Sequence, residues 1–237
     1  MFDGLRYGVT ARHVVQPPSK PWGTWSTNFT QPLFIRAKPA NTNFPPADLH
    51  RPINMDYFEY DQLYSFSENP QIDIAVFPAF SFKGAPEEAY CIPFEWIQDD
   101  TNVIVGEDVN IFGFPGPYGF DKGEAVIRSG TICYKLSPEV YLLDANLWPG
   151  DSGALVASKP YFGVPDKDHS RYQWHFGGKI LGVESMYVQP SQFLPDAPKE
   201  LQGFRVIFSG EAIKELFESK QFKEKHELWK RLMAQTH

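Results

Sequence analysis

The chain has 237 residues, enough for one large or two modest domains with a sizeable core. Its 22 Lys and Arg against 29 Asp and Glu leave a net charge of -7 at pH 7, which argues against a nucleic-acid partner held through phosphates. With 42% hydrophobic and 16% aromatic residues it is no disordered chain, and no apolar run approaches the roughly 18 residues of a membrane span. The 18 Gly and 21 Pro make the chain turn-rich, the composition of an all-β domain pair. Cys91 and Cys133 show neither metal-type spacing nor a disulfide framework, which points to a reducing compartment. No charged-then-apolar signal pattern follows Met1, so a cytoplasmic location is expected if Met1 is the true start.

In chain order, Leu5 to Val15 reads as a short strand. Residues 16 to 52 are so rich in proline that long regular elements cannot persist there, although Leu33 to Lys38 fits a strand between the breaks. Tyr57 to Phe66 alternates well enough for another strand. Ile72 to Phe77 is a clean one, with Ile72, Ile74 and Val76 on one face and Asp73, Ala75 and Phe77 on the other. A connection follows over residues 79 to 102, and the domain boundary is placed within it. Six strand-like runs come next: Glu107–Phe114, Glu124–Tyr134, Glu139–Ala145, Gly153–Ser158, Lys179–Val188 and Gly203–Phe208. From Gly210 the apolar spacing turns helical through Ile213, Leu216, Phe217, Leu228, Trp229, Leu232 and Met233. Mixed charges fill the other face, a break is expected near Ser219, and the stripe should pack on the protein's own body.

Three short patterns carry chemistry: Thr10-Ala11-Arg12-His13, Asp73-Ile74-Ala75-Val76 and Gly150-Asp151-Ser152-Gly153. A serine hydroxyl is a poor nucleophile until a neighbouring base takes its proton. Histidine does this near neutral pH, provided a third group fixes its tautomer and orientation. An aspartate on an otherwise apolar strand suits that third role. Glycines beside the serine let the backbone turn sharply, so that N–H groups converge on a developing oxyanion.

Over roughly residues 5 to 217 the sequence resembles the chymotrypsin-like, or trypsin-fold, serine peptidases, particularly compact bacterial trypsin-like peptidase domains. The order His, Asp, Ser matches that fold and differs from subtilisins and α/β-hydrolases. The resemblance implies an all-β fold of two antiparallel β-barrels of the six-stranded type, with His13, Asp73 and Ser152 as catalytic residues. It also implies an oxyanion hole from the N–H groups of Gly150 and Ser152, a polypeptide substrate, and no metal or organic cofactor. Asn146, six before the nucleophile, falls at the base of the primary pocket, where a trypsin-type enzyme has a carboxylate. Glu184 falls on the pocket strand and is read as favouring a polar or basic substrate side chain; the plain alternative is a solvent-facing or locally paired Glu. Ser185-Met186-Tyr187 should hold an extended substrate by strand addition, with Tyr187 making the pocket shallow. Asp151 is expected to stabilise its turn through backbone N–H groups.

The expected organisation is a partial N-terminal barrel over 1–90, a C-terminal barrel over 91–209 and a helical segment over 210–237. His13 stands so near the start that the first barrel should be N-terminally incomplete, and patched by the 16–70 segment, a partner strand or upstream sequence. His226-Glu227 lacks the spacing of a zinc helix motif, and His169 and His175 read as loop histidines, so no metal site is expected. Two alternatives to the peptidase share the fold: a non-catalytic peptide-binding or partner-binding module, and an esterase using the same triad. Oligomeric state is not legible.

Overall fold

A computed structural model describes residues 5–19, 24–25, 34–36, 50–52, 60–78, 92–115, 125–159, 161–165, 172–175, 178–185 and 204–235. The chain opens with strand β1 (Tyr7–Ala11) and a single helical turn α1 (Arg12–Val15), where a strand running on to Val15 was expected. Two short hairpins follow, β2 (Pro18–Ser19) with β3 (Thr24–Trp25), and β4 (Phe34–Arg36) with β5 (His50–Pro52). Within the expected Tyr57 to Phe66 strand, the described residues form a helical turn α2 (Tyr60–Leu63) leading into a two-residue strand β6 (Ser65–Phe66). Strand β7 (Ile74–Pro78) then pairs with both β1 and β6 in an open sheet of order β1-β7-β6.

The second half begins with 3-10 turns at Phe94–Trp96 and Asp100–Asn102. Its strands are β8 (Asp108–Gly113), β9 (Val126–Ser137), β10 (Val140–Asp144) and β11 (Leu155–Ser158). A hairpin of β12 (Tyr161–Pro165) and β13 (Tyr172–His175) intervenes before β14 (Ile180–Ser185) and β15 (Arg205–Ser209). His175 therefore lies on a strand rather than in a loop; His169 lies outside the described residues. The six strands expected from the sequence close into one barrel of order β10-β15-β14-β11-β8-β9. Closure removes the free edges that six short strands would otherwise expose.

Period two on the barrel strands serves two cores at once. On β10, Tyr141 and Leu143 point into the barrel, while Val140 and Leu142 point outward to a second cluster. On β15, Ile207 faces in and Val206 and Phe208 face out. The outer cluster also takes Ile72, Ile74 and Val76, so the open sheet and the barrel share an apolar seam. That face assignment is the one the alternation predicts.

The C-terminal segment forms α3 (Gly210–Glu218) and α4 (Lys220–Gln235). Ser209 caps α3 by accepting the Ala212 N–H at 3.3 Å, and Ser219 accepts the Phe222 N–H at 3.1 Å, so the break falls where one serine ends a helix and starts the next. Leu216, Phe217, Phe222 and Trp229 are buried in the outer cluster with Ile74 and Val76. Helix α4 also meets the polar groups of the open sheet's edge. Gln221 Oε1 accepts the Phe66 N–H at 3.1 Å, Lys225 Nζ donates to the Tyr64 carbonyl, and Trp229 Nε1 donates to the Gln62 carbonyl at 3.0 Å. Among the described residues the first half forms the open sheet β1-β7-β6 and two short hairpins, and the C-terminal helix, which was not among the expected fillers, packs along that sheet. Among the described residues no helix is long and apolar enough to cross a membrane.

Candidate active site

The three chemical motifs meet where the open sheet abuts the closed barrel. His13 sits on α1, directly after β1; Asp73 directly precedes β7, beside it in the sheet. The Arg12 N–H donates to the Asp73 carbonyl at 3.1 Å, and the His13 N–H donates to Asp73 Oδ1 at 2.8 Å. This double backbone tether places the imidazole. His13 Nδ1 then lies 2.6 Å from Asp73 Oδ2, and His13 Nε2 lies 2.8 Å from Ser152 Oγ. A proton on Nδ1 satisfies the carboxylate and leaves Nε2 as the acceptor for the serine hydroxyl. Asp73 is fully buried, whereas the His13 side chain retains 14% exposure, so the imidazole reaches solvent and its partner does not.

Ser185, expected to act through its backbone, also reaches this line. Its buried hydroxyl donates to Asp73 Oδ2 at 2.5 Å. A second clamp holds the turn that carries His13. The Arg12 guanidinium lies 4.2 Å from the ring centroids of both Trp25 and Phe66, and its Nε donates to Gln16 Oε1 at 2.8 Å. Burial lowers the Arg12 pKa to about 10, against the opposing pull of Asp73. Neither the ring pair nor the Ser185 bond has a signature in linear sequence, because each joins residues far apart in the chain.

The loop carrying Ser152 turns through two glycines with positive φ, Gly150 at 99° and Gly153 at 87°. Gly153 also needs its missing Cβ, which would strike Thr10 Oγ1 at the end of β1. The loop spends the N–H groups of Asp151, Gly153 and Ala154 on the carbonyls of Trp148, Glu184 and Asp151. Those of Gly150 and Ser152 bond to no group among the described residues.

Behind the serine, Asp151 is fully buried and forms an ion pair with Arg128 from β9. Its Oδ2 also accepts the Trp148 N–H at 2.7 Å, the turn-stabilising bond that was expected. The Arg128 guanidinium lies 4.6 Å from the Trp148 ring centroid, so one cation joins the carboxylate to the start of the loop. Sequence reasoning missed Arg128, since nothing in its neighbourhood distinguishes it from a surface arginine.

The specificity residues fare differently. Glu184 is neither solvent-facing nor locally paired: it is fully buried, and both carboxyl oxygens lack a hydrogen-bond partner. Burial is the main cause of a pKa raised to about 9; Asp151 and Asp73 add to the rise and Arg205 and Arg128 oppose it. Asn146 is exposed in the segment leading to the loop. Tyr187 lies outside the described residues. His226, set aside as a metal ligand, is buried among aromatic rings, shares a hydrogen bond with the Tyr7 hydroxyl and stacks on Phe222 with centroids 5.7 Å apart.

A barrel and a sheet holding a Ser-His-Asp line between them define a trypsin-like class of protein. The family model for the trypsin-like peptidase domain matches residues 2–159, and the chain belongs to that family. Among solved structures it is similar to a Glu endopeptidase in complex with MPD, at 14% identity and a TM-score of 0.50, covering 95% of this chain and 81% of that one. It is also similar to the Rv3671c protease, inactive form, at 13% identity and a TM-score of 0.43, covering 90% of this chain and 77% of that one. At these identities the likeness concerns the fold. Comparison with curated protein sequences returned no match.

Proposed function

We propose that the protein is a serine endopeptidase, with Ser152 as nucleophile, His13 as general base and acid, and Asp73 as the group that orients the imidazole. The observation that carries this reading is the unbroken line from Asp73 Oδ2 through His13 to Ser152 Oγ, with separations of 2.6 and 2.8 Å. Three residue types in one sequence order are suggestive; three side chains in hydrogen-bonding sequence are the geometry proton transfer needs.

In the proposed reaction Ser152 Oγ bonds to the carbonyl carbon of a peptide as its proton passes to His13 Nε2. The carbonyl π electrons move to oxygen, which the N–H groups of Gly150 and Ser152 stabilise as an oxyanion. The C–N bond then breaks, and the His13 proton goes to the departing amine, leaving an acyl-serine. Water repeats the sequence: His13 takes its proton, the acyl carbon goes to hydroxide, and Ser152 regains its hydrogen. Asp73 stabilises the imidazolium in both halves without itself taking the proton.

The test is labelling by a fluorophosphonate probe in wild type and Ser152→Ala, followed by digestion of casein. Ser152-dependent labelling with peptide products supports the reading. Absence of labelling in folded protein defeats both enzyme readings and leaves the binding module, while labelling without peptide products leaves an esterase.

A further inference from the structure

Glu184 and Arg205 are charged residues that the proposed reaction does not use. Glu184 on β14 pairs directly with Ile207 on β15, and Arg205 lies two residues before Ile207. Period two therefore puts both charged side chains on one face of the sheet, on a diagonal across the strand pair. Ile207 belongs to the cluster inside the barrel, as does Leu143, which pairs with Arg205 on the other side. Two ionisable groups thus face the apolar interior at the end of the barrel that carries the serine. The Glu184 carbonyl accepts the Gly153 N–H at 2.9 Å, and Ser185 next to it donates to Asp73.

Both side chains carry buried polar atoms without a partner. The two Glu184 oxygens and Arg205 Nε are buried without a hydrogen-bond partner. Among the described residues no ion pair joins Arg205 to Glu184 or to any other carboxylate. The neighbouring charges are already engaged: Asp151 with Arg128, Asp73 with His13 and Ser185. Burying polar groups without partners is costly, and such groups beside Ser152 suit a polar substrate group that reaches them.

We propose that Arg205 and Glu184 form the primary specificity subsite, and that it selects an acidic side chain, glutamate or aspartate, on the acyl side of the cleaved bond. This rests on the peptidase reading above. The two groups offer one character of hydrogen bond. Arg205 donates through its guanidinium, and a Glu184 carboxyl held neutral by burial and by Asp151 donates through its O–H. An incoming carboxylate accepts from both and gives Arg205 a counterion. A lysine or arginine side chain brings only donors and a like charge, and an apolar one leaves every group unpaired. Glu184 read alone favours a polar or basic substrate side chain; with Arg205 beside it the proposed preference is for an acidic one.

The experiment is a set of peptides identical except for Glu, Asp, Gln, Asn, Leu, Lys or Arg before the scissile bond, run on the full chain after fluorophosphonate titration. Cleavage after Glu or Asp should exceed cleavage after Gln or Asn by at least about tenfold. Arg205→Gln should collapse that ratio, and Arg205→Lys should restore part of it. For the Glu peptide, wild-type kcat/KM should fall as pH rises through about 9, where Glu184 ionises and repels the substrate, and Glu184→Gln should abolish that limb. Equal cleavage after Glu and Gln, or a preference for Lys or Arg, by wild type that labels at Ser152 overturns this inference and spares the peptidase reading. A wild type that does not label overturns both. These wild-type arms hold even if an Arg205 variant fails to fold.

Discussion

The Ser185 hydroxyl and His13 Nδ1 converge on one oxygen, Oδ2 of buried Asp73, while Oδ1 is occupied by the His13 backbone N–H. The carboxylate is therefore fixed in plane and direction by three donors from two parts of the chain. A hydrogen bond to a charged group contributes about 1.5–3 kcal/mol, and here it acts on the orientation of the base. Ser185→Ala should lower kcat by roughly tenfold with little change in KM, as read from steady-state kinetics on a peptide ester. An unchanged kcat would show that the backbone tether alone orients Asp73.

Asp73→Asn preserves shape but removes the charge and lets the amide favour the wrong imidazole tautomer. Activity should fall by about 10⁴-fold while the fold persists. Single-turnover acylation by an activated ester, alongside circular dichroism, measures the two separately.

The ion pair between Arg128 and Asp151 is buried on both sides, with 12% and 0% side-chain exposure. Arg128→Met leaves the Asp151 carboxylate enclosed without its cation, a change that costs about 3–5 kcal/mol in comparable buried pairs. Urea denaturation should show that loss, and Ser152 labelling should slow because the loop from Trp148 to Gly153 shares the same anchor. Equal stability of variant and wild type would mean that water replaces the guanidinium.

Glu184 makes stability depend on pH in a defined direction. Its carboxyl titrates near the ordinary 4.5 in the unfolded chain and at about 9 in the fold. The folded state therefore holds a proton that the unfolded state has released across that window. Stability from this group is fully present below about 4.5 and declines as pH rises toward 9. Glu184→Gln, which stays neutral, should match wild type in acid and exceed it progressively above neutrality. Tm measured at pH 5, 7 and 9 (a series of roughly two-unit steps across that window) checks the slope.

Trp229 joins α4 to the open sheet through its ring, which packs with Ile74 and Val76, and to α2 through its Nε1 bond to the Gln62 carbonyl. Trp229→Ala should cost about 3–5 kcal/mol, the usual range for emptying a fully buried aromatic site. Hydrogen exchange should quicken first at β6 and α4. Loss of protection confined to α4 would show that the sheet edge is closed by something other than the helix.

Local backbone structure was legible in the linear sequence. Thr10-Ala11-Arg12-His13, Asp73-Ile74 and Gly150-Asp151-Ser152-Gly153 each encode a self-contained piece of backbone, and the alternation of Ile72, Ile74 and Val76 puts those three on one face, which packs into the outer cluster. Six runs of period two sufficed for the closed barrel, because side-chain period and strand length are local properties. Local propensity misread α1 and α2, where short aromatic or β-branched runs turn helical under tertiary tethers such as Arg12 N–H to the Asp73 carbonyl.

What only the tertiary structure decided is the set of relationships between distant residues. Arg128 finds Asp151, Ser185 finds Asp73, Arg12 lies between Trp25 and Phe66, and α4 closes over β6. Glu184 changes meaning most: its position along the strand marked it for the pocket, but the neutrality of its carboxyl follows from burial beside Asp151, and its companion Arg205 comes from the next strand. Charge state and partnership depend on what surrounds a group in space, and a linear sequence specifies that only through the fold.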